Sequence, residues 1–107
     1  MNTLTRLEAV IADRSSAKPD ESYVAKLNAK GVAAIAQKVG EEATETVIAA
    51  LTGAKGDLVG ESADLIFHLL VLLQARGVSL SDVFAELDRR HGVSGLEEKA
   101  SRTPKES

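Results

Sequence analysis

Five carboxylates recur at helical spacing in two short stretches of the chain: Glu41, Glu42 and Glu45, then Glu61 and Asp64. Small and apolar residues flank both groups. Like charges three or four positions apart on one helix face repel. Desolvating a charge is costly unless it is paired or bound to a metal. A cation is therefore expected between the two stretches, and a hard divalent metal is the simplest one. An all-oxygen donor set without a His/Cys group suits Mg²⁺, with Mn²⁺ as a substitute, rather than zinc. Magnesium commonly bridges carboxylates to substrate phosphates, and a divalent metal acidifies water enough to make it a nucleophile. The constellation favours hydrolysis of a phosphoanhydride.

The elements that must position these residues are helices. At 100° per residue, Lys38, Glu41, Glu42 and Glu45 fall within an arc of about 100° on a helix predicted from Val32 to Leu51. Val32, Ile35, Ala36, Val39, Ala43, Val47 and Ala50 form its apolar stripe. Gly40 interrupts that helix, either as a close approach by a neighbouring helix or ligand or as a local irregularity. Thr52 to Gly56 reads as a turn, with Asp57 capping the next helix, which ends near Gly77. In that helix Glu61, Asp64 and His68 share one face, which continues into the core positions Val71 and Leu72. The run Leu65 to Leu73 is apolar nearly all round and is expected to be buried on all sides; its length and leucine content favour helix over strand. The short turn makes the two helices antiparallel neighbours, so Glu42 and Glu45 face Glu61 and Asp64 across one groove. Glu-Glu-x-x-Glu alone is ordinarily a wet helix face; a second acidic pair in line with a buried stripe is what points to a metal.

Three further helices frame this pair. Leu4, Leu7, Val10 and Ile11 predict a helix over about 3–13, followed by a polar linker from Arg14 to Pro19. Asp20 is expected to cap a short helix through Tyr23, Val24 and Leu27, with Gly31 at its end or kink. Ser79-Leu-Ser-Asp82 starts a last helix that stops at Gly92, and 93–107 reads as an irregular tail. The expected architecture is a single all-α domain over 1–107, a helical bundle around a central antiparallel hairpin and completed by homodimerisation.

Lys38 either contacts a substrate phosphate or pairs with Glu42 one turn later. Lys26 and Lys30, four apart, are placed to receive phosphates, although exposed lysines are common. His68 is more in keeping with a core or interface histidine than with a ligand. Only Tyr23, Phe67 and Phe84 offer aromatic faces for a base.

The chain has 107 residues, 44% of them hydrophobic and 27% charged, the balance of a folded domain. It has no cysteine, which excludes disulfides, thiolate zinc sites and thiol catalysis, and fits a cytoplasmic location. The net charge of −3 argues against a general nucleic-acid partner. No signal peptide is expected, and the run Leu65 to Leu73 is too short to span a bilayer.

Glu42-x-x-Glu45, fifteen intervening residues and then Glu61-x-x-Asp64 resemble the signature of the MazG-type all-α nucleoside-triphosphate pyrophosphohydrolases. Ser22-Tyr23, Lys30-Gly31, Lys38-Val-Gly-Glu-Glu-Ala-Thr-Glu45, Glu61-Ser-Ala-Asp-Leu65, His68-Leu-Leu-Val-Leu72 and Ser94-Gly95 with Glu98-Lys-Ala-Ser-Arg102 narrow the likeness to the phosphoribosyl-ATP pyrophosphatase branch, which serves histidine biosynthesis. The resemblance covers nearly the whole chain. It implies Mg²⁺-dependent hydrolysis of 1-(5-phospho-β-D-ribosyl)-ATP to phosphoribosyl-AMP and pyrophosphate by a homodimer. It also implies Glu42, Glu45, Glu61 and Asp64 as metal ligands, Glu41 as a further metal contact or the group that orients the attacking water, and Lys38 as a phosphate contact. Phe67 departs from the family, which often has tyrosine there. The cyclohydrolase that can be fused to such enzymes is expected on a separate chain. The competing expectations are a house-cleaning hydrolase of dUTP, dCTP or a modified nucleotide, and a non-catalytic helical dimer that binds a basic partner through its acidic groove. A substrate panel separates the first and Mg²⁺-dependent pyrophosphate release the second.

Overall fold

The computed structural model describes residues 2–91, and these form five helices with no strand among them. They are α1 (Thr3–Arg14), α2 (Tyr23–Lys30), α3 (Val32–Thr52), α4 (Lys55–Ala75) and α5 (Leu80–His91). The expected stop at Gly92, the tail and the Ser94–Arg102 motif lie outside the described residues.

Every helix but α3, which follows Gly31 without a side-chain cap, begins where a side chain bonds the backbone of its first turn. Asn2 Oδ1 accepts from Thr5 N at 2.8 Å to start α1. Ser22, not Asp20, caps α2: its hydroxyl accepts from Ala25 N while its backbone is extended. Asp57 does not cap α4 from outside. It stands at the third helical position and reaches back to accept from Ala54 N at 3.0 Å, so α4 starts earlier and the turn shrinks to Gly53–Ala54. Ser79 Oγ accepts from Asp82 N at 3.2 Å. Glu8 of α1 accepts from Leu80 N at 2.7 Å, so α1 also caps α5 and fixes its approach.

Two glycines are required by backbone conformation. Gly31 has φ of +96° and turns the chain between α2 and α3 without a connecting loop. Gly77 has φ of +70°; Gly77 N donates to Gln74 O and Val78 N to Leu73 O, the paired bonds of a Schellman ending.

α3 and α4 make the most extensive helix contact, with α1 on α4 and α2 on α3. The core gathers at one end of this pair and draws on every helix: Ile11, Val24, Leu27, Ile35, Leu70, Val71 and Leu80. The face that α3 buries differs from the expected stripe. Ile35, Glu42 and Ala49, seven apart, are the buried residues, whereas Val32 and Val47 are exposed. α3 is apolar on more than one side, and the spacing alone does not say which side meets α4. α4 differs too: His68, Leu70 and Val71 are buried, but Ile66 and Leu69 are each 41% exposed, so the apolar run is not covered all round within one chain. By length and composition α4 as a whole is long and apolar enough to cross a bilayer, unlike the shorter run from which the opposite was expected. Its acidic pair and its packing along α3 are what a core helix with the same composition presents.

Candidate metal and phosphate site

The central line of α3 carries a carboxylate where packing would place an apolar side chain. Glu42, one turn-pair beyond Ile35 and before Ala49, is only 6% exposed. Around it gather Glu45, one turn further along α3, and Glu61 from α4. One carboxylate oxygen from each of these three residues lies within 4.8 Å of the others. Glu42 Oε2 and Glu61 Oε2 are buried and have no hydrogen-bond partner. Buried carboxylate oxygens left bare cost the full desolvation of the group. An all-oxygen donor set with bare buried atoms is therefore suited to a hard divalent cation such as Mg²⁺.

The register that brings the three together is held by Thr46. Its hydroxyl lies 2.8 Å from Glu42 O on its own helix and 3.2 Å from Glu61 O on α4. Thr46 was missed by sequence reasoning. A threonine inside a helix normally bonds back to its own preceding turn, and only the approach of α4 gives this one a second acceptor.

Two predicted carboxylates stand apart from the trio. Glu41 is exposed and accepts from Gln37 Nε2 at 3.2 Å. Asp64 is exposed on the next turn of α4 after Glu61 and is not one of the three. Its backbone carbonyl instead accepts from His68 Nδ1 at 2.7 Å. His68 is a core residue, 5% exposed. A carbonyl can only accept, so Nδ1 carries the proton, and Nε2 of the neutral ring accepts from the Tyr23 hydroxyl at 2.8 Å. Tyr23 also stacks on Phe67 at 6.1 Å between ring centres, and both rings meet the edge of His68. Phe67 thus serves as an apolar backing for Tyr23.

The lysines divide as well. Lys38 Nζ is 3.4 Å from Glu42 Oε1 and 3.9 Å from Glu41 Oε1. Both alternatives for Lys38 meet in one place, because it pairs with Glu42 and also lines a cleft of about 420 Å³ with Tyr23, Leu27, Lys30 and Glu41. Its pKa is raised, first by the hydrogen bond to Glu42, so it is a full ammonium at neutral pH. Lys30 lines the same cleft; Lys26 is exposed on α2 and does not. Gly40 lies on the outer side of α3, and a Cβ there would meet nothing within 4 Å, so none of the described helices approaches it.

A family model described as phosphoribosyl-ATP pyrophosphohydrolase matches residues 4–91, which include all of these groups. A phosphoribosyl-ATP pyrophosphatase of Erythrobacter litoralis is 76% identical over 95% of this chain and 98% of its own. Those of Novosphingobium aromaticivorans and Rhizorhabdus wittichii are 67% and 61% identical, each over 94% of both chains.

Proposed function

This chain belongs to the phosphoribosyl-ATP pyrophosphohydrolase family, and from that premise we propose how the acidic groove carries the reaction. The enzyme hydrolyses 1-(5-phospho-β-D-ribosyl)-ATP to phosphoribosyl-AMP and pyrophosphate, in histidine biosynthesis. Glu42, Glu45 and Glu61 hold Mg²⁺, and Asp64 completes the set from the rim. The observation that carries this assignment is the pair of bare, buried oxygens on Glu42 and Glu61 within the trio. Bound there, Mg²⁺ supplies Lewis-acid chemistry that neutralises the triphosphate and favours departure of pyrophosphate.

The chain's own residues do the rest. Lys38 and Lys30 bind phosphate oxygens in the cleft beside the trio, and Lys26 attracts the polyanion from the outer face of α2. Glu41, at the edge of the cleft and outside the trio, orients the attacking water and takes its proton. The water oxygen bonds to the α-phosphorus as the bond from that phosphorus to the bridging oxygen breaks, and pyrophosphate leaves with the electron pair. Glu42 and Glu45 fix the reacting groups from one helix and Glu61 from the other.

The molecular setting is read the same way. Residues 2–91 form a single domain with a central α3–α4 hairpin. A two-residue link and the bond from Thr46 to Glu61 O support an antiparallel arrangement. A homodimer covers the exposed side chains of Val47, Ile48, Leu51, Val59, Ile66 and Leu69, and the enzyme works in the cytoplasm. The decisive experiment compares Glu45→Gln and Asp64→Asn with wild type in Mg²⁺-dependent pyrophosphate release. Each variant should keep its helical circular dichroism and lose turnover; full activity in either removes that residue from the site. A panel of phosphoribosyl-ATP, dUTP and dCTP should favour the first, and a preference for a common triphosphate would overturn the substrate.

A further inference from the structure

We propose that Lys38 is a placeholder for the metal. It neutralises Glu42 while the cation is absent and is released toward the phosphate cleft when the cation arrives. This rests on the metal reading given above.

The ammonium stands at the junction of the two halves of the site. On one side it meets Glu42 Oε1 at 3.4 Å, and Glu42 is the most buried member of the trio. On the other side it lines the cleft with Tyr23 and Lys30. A charge-assisted contact at its best is about 2.7–2.9 Å, so this pair is loose and its partner exchangeable. Glu42 cannot offer its charge in full to a lysine and to a divalent ion, and two cations so close repel. The lysine side chain is 36% exposed on a flexible four-carbon stem, and it can move without disturbing the core. The place it moves to is prepared. The Tyr23 hydroxyl spends its one hydrogen bond as a donor on the buried His68, so the phenol oxygen remains an acceptor in the wall of the cleft.

The consequence is coupling. With Glu42 taken by the metal, Lys38 is free to meet a phosphate; with Lys38 drawn to a phosphate, Glu42 is free for the metal. Metal and phosphate then each strengthen the other's binding, as linkage requires.

The test measures Mn²⁺ binding by calorimetry, without nucleotide, to wild type, Lys38→Met and Lys38→Gln. Removing the competing ammonium should tighten Mn²⁺ about tenfold or more, between the bulk-water and protein-surface limits for one unit charge at close range. A lysine that only contacts phosphate would leave this affinity unchanged, and unchanged or weaker binding in a folded variant overturns the proposal. Absence of Mn²⁺ binding in wild type instead overturns the metal assignment itself. A second readout uses the wild-type chain alone: acetylation of Lys38, followed by mass spectrometry, should be faster with Mg²⁺ than without, relative to Lys26. Equal rates overturn the release of the ammonium, whatever the variants do.

Discussion

Glu42 sits where stability alone would ask for a leucine. Between Ile35 and Ala49 it places a carboxylate on the buried line of α3 and leaves one oxygen without a partner. Neutralising a buried carboxylate that crowds two others relieves desolvation and like-charge repulsion, and the loss of its contact with the part-exposed Lys38 weighs little against that, while removing a direct ligand of the proposed metal costs more than the roughly 10–100-fold lost with an outer-shell partner. Glu42→Gln is therefore expected to melt at or above wild type without metal and to lose at least about 100-fold in kcat/KM. Thermal melting and pyrophosphate release check the two signs, and a strongly destabilised variant would contradict the first. The Lys38–Glu42 pair adds no pH dependence near neutrality: the raised lysine pKa keeps its contribution fully present below the ordinary lysine range, and it is lost only as pH rises through the higher folded value. At this scale the carboxylates were legible because residue types and spacing are written in the chain. What spacing could not tell is which of them turn inward. Glu41 and Asp64 lie within one helical turn of ligands and still fall outside the trio, because a small rotation of each helix decides it.

At the scale of elements, the two long helices are locked by a hydroxyl rather than by packing alone. Among the described residues, Thr46 is the only side chain that hydrogen-bonds the backbones of both α3 and α4. Thr46→Val keeps the shape and removes the bond. The expected cost is about 0.5–1.5 kcal/mol of stability, with a weaker metal affinity as the trio loosens; Thr46→Ser should restore both. Chemical denaturation and Mn²⁺ titration read these separately, and unchanged metal binding in the valine variant would limit Thr46 to stability. The helices themselves were legible almost throughout, since their apolar periodicity is strong. Their starts were less so. Asp20 and Asp57 looked like caps by residue type, yet Ser22 occupies the first cap and Asp57 acts from inside α4. A cap depends on which residue leaves the extended region, and two polar residues near one boundary compete for that place. Ser22→Ala should cost about 1 kcal/mol, visible in denaturation, whereas Asp20→Ala should cost almost nothing.

For the whole molecule, the exposed apolar side chains of the α3–α4 pair are the largest departure from expectation. Leu51 is 79% exposed and Val59 69%, with Val47, Ile48, Ile66 and Leu69 also open to solvent. So many large apolar side chains left open on one helix pair support the proposal of an interaction site there. The sequence predicted α4 to be buried on all sides, and one chain buries only the side that meets α1, α3 and the core. The homodimer proposed above would cover the rest, which hydrophobic patterning cannot separate from an intrachain core because burial has the same signature in both. Leu51→Asp combined with Ile66→Asp should shift the sedimentation of the enzyme from dimer to monomer and lower its melting temperature. A wild-type chain that sediments as a monomer at micromolar concentration would sink the dimer.

The chain contains one tyrosine and no tryptophan, and that tyrosine is Tyr23, bonded to the buried His68 at the wall of the Lys30–Lys38 cleft. Its ultraviolet emission therefore arises from a single place. A phenol that donates to an imidazole has an acceptor at hand for its excited-state proton, so emission should rise when the bond to His68 opens and fall when it closes. The unmodified enzyme would thus carry its own optical gauge of the cleft.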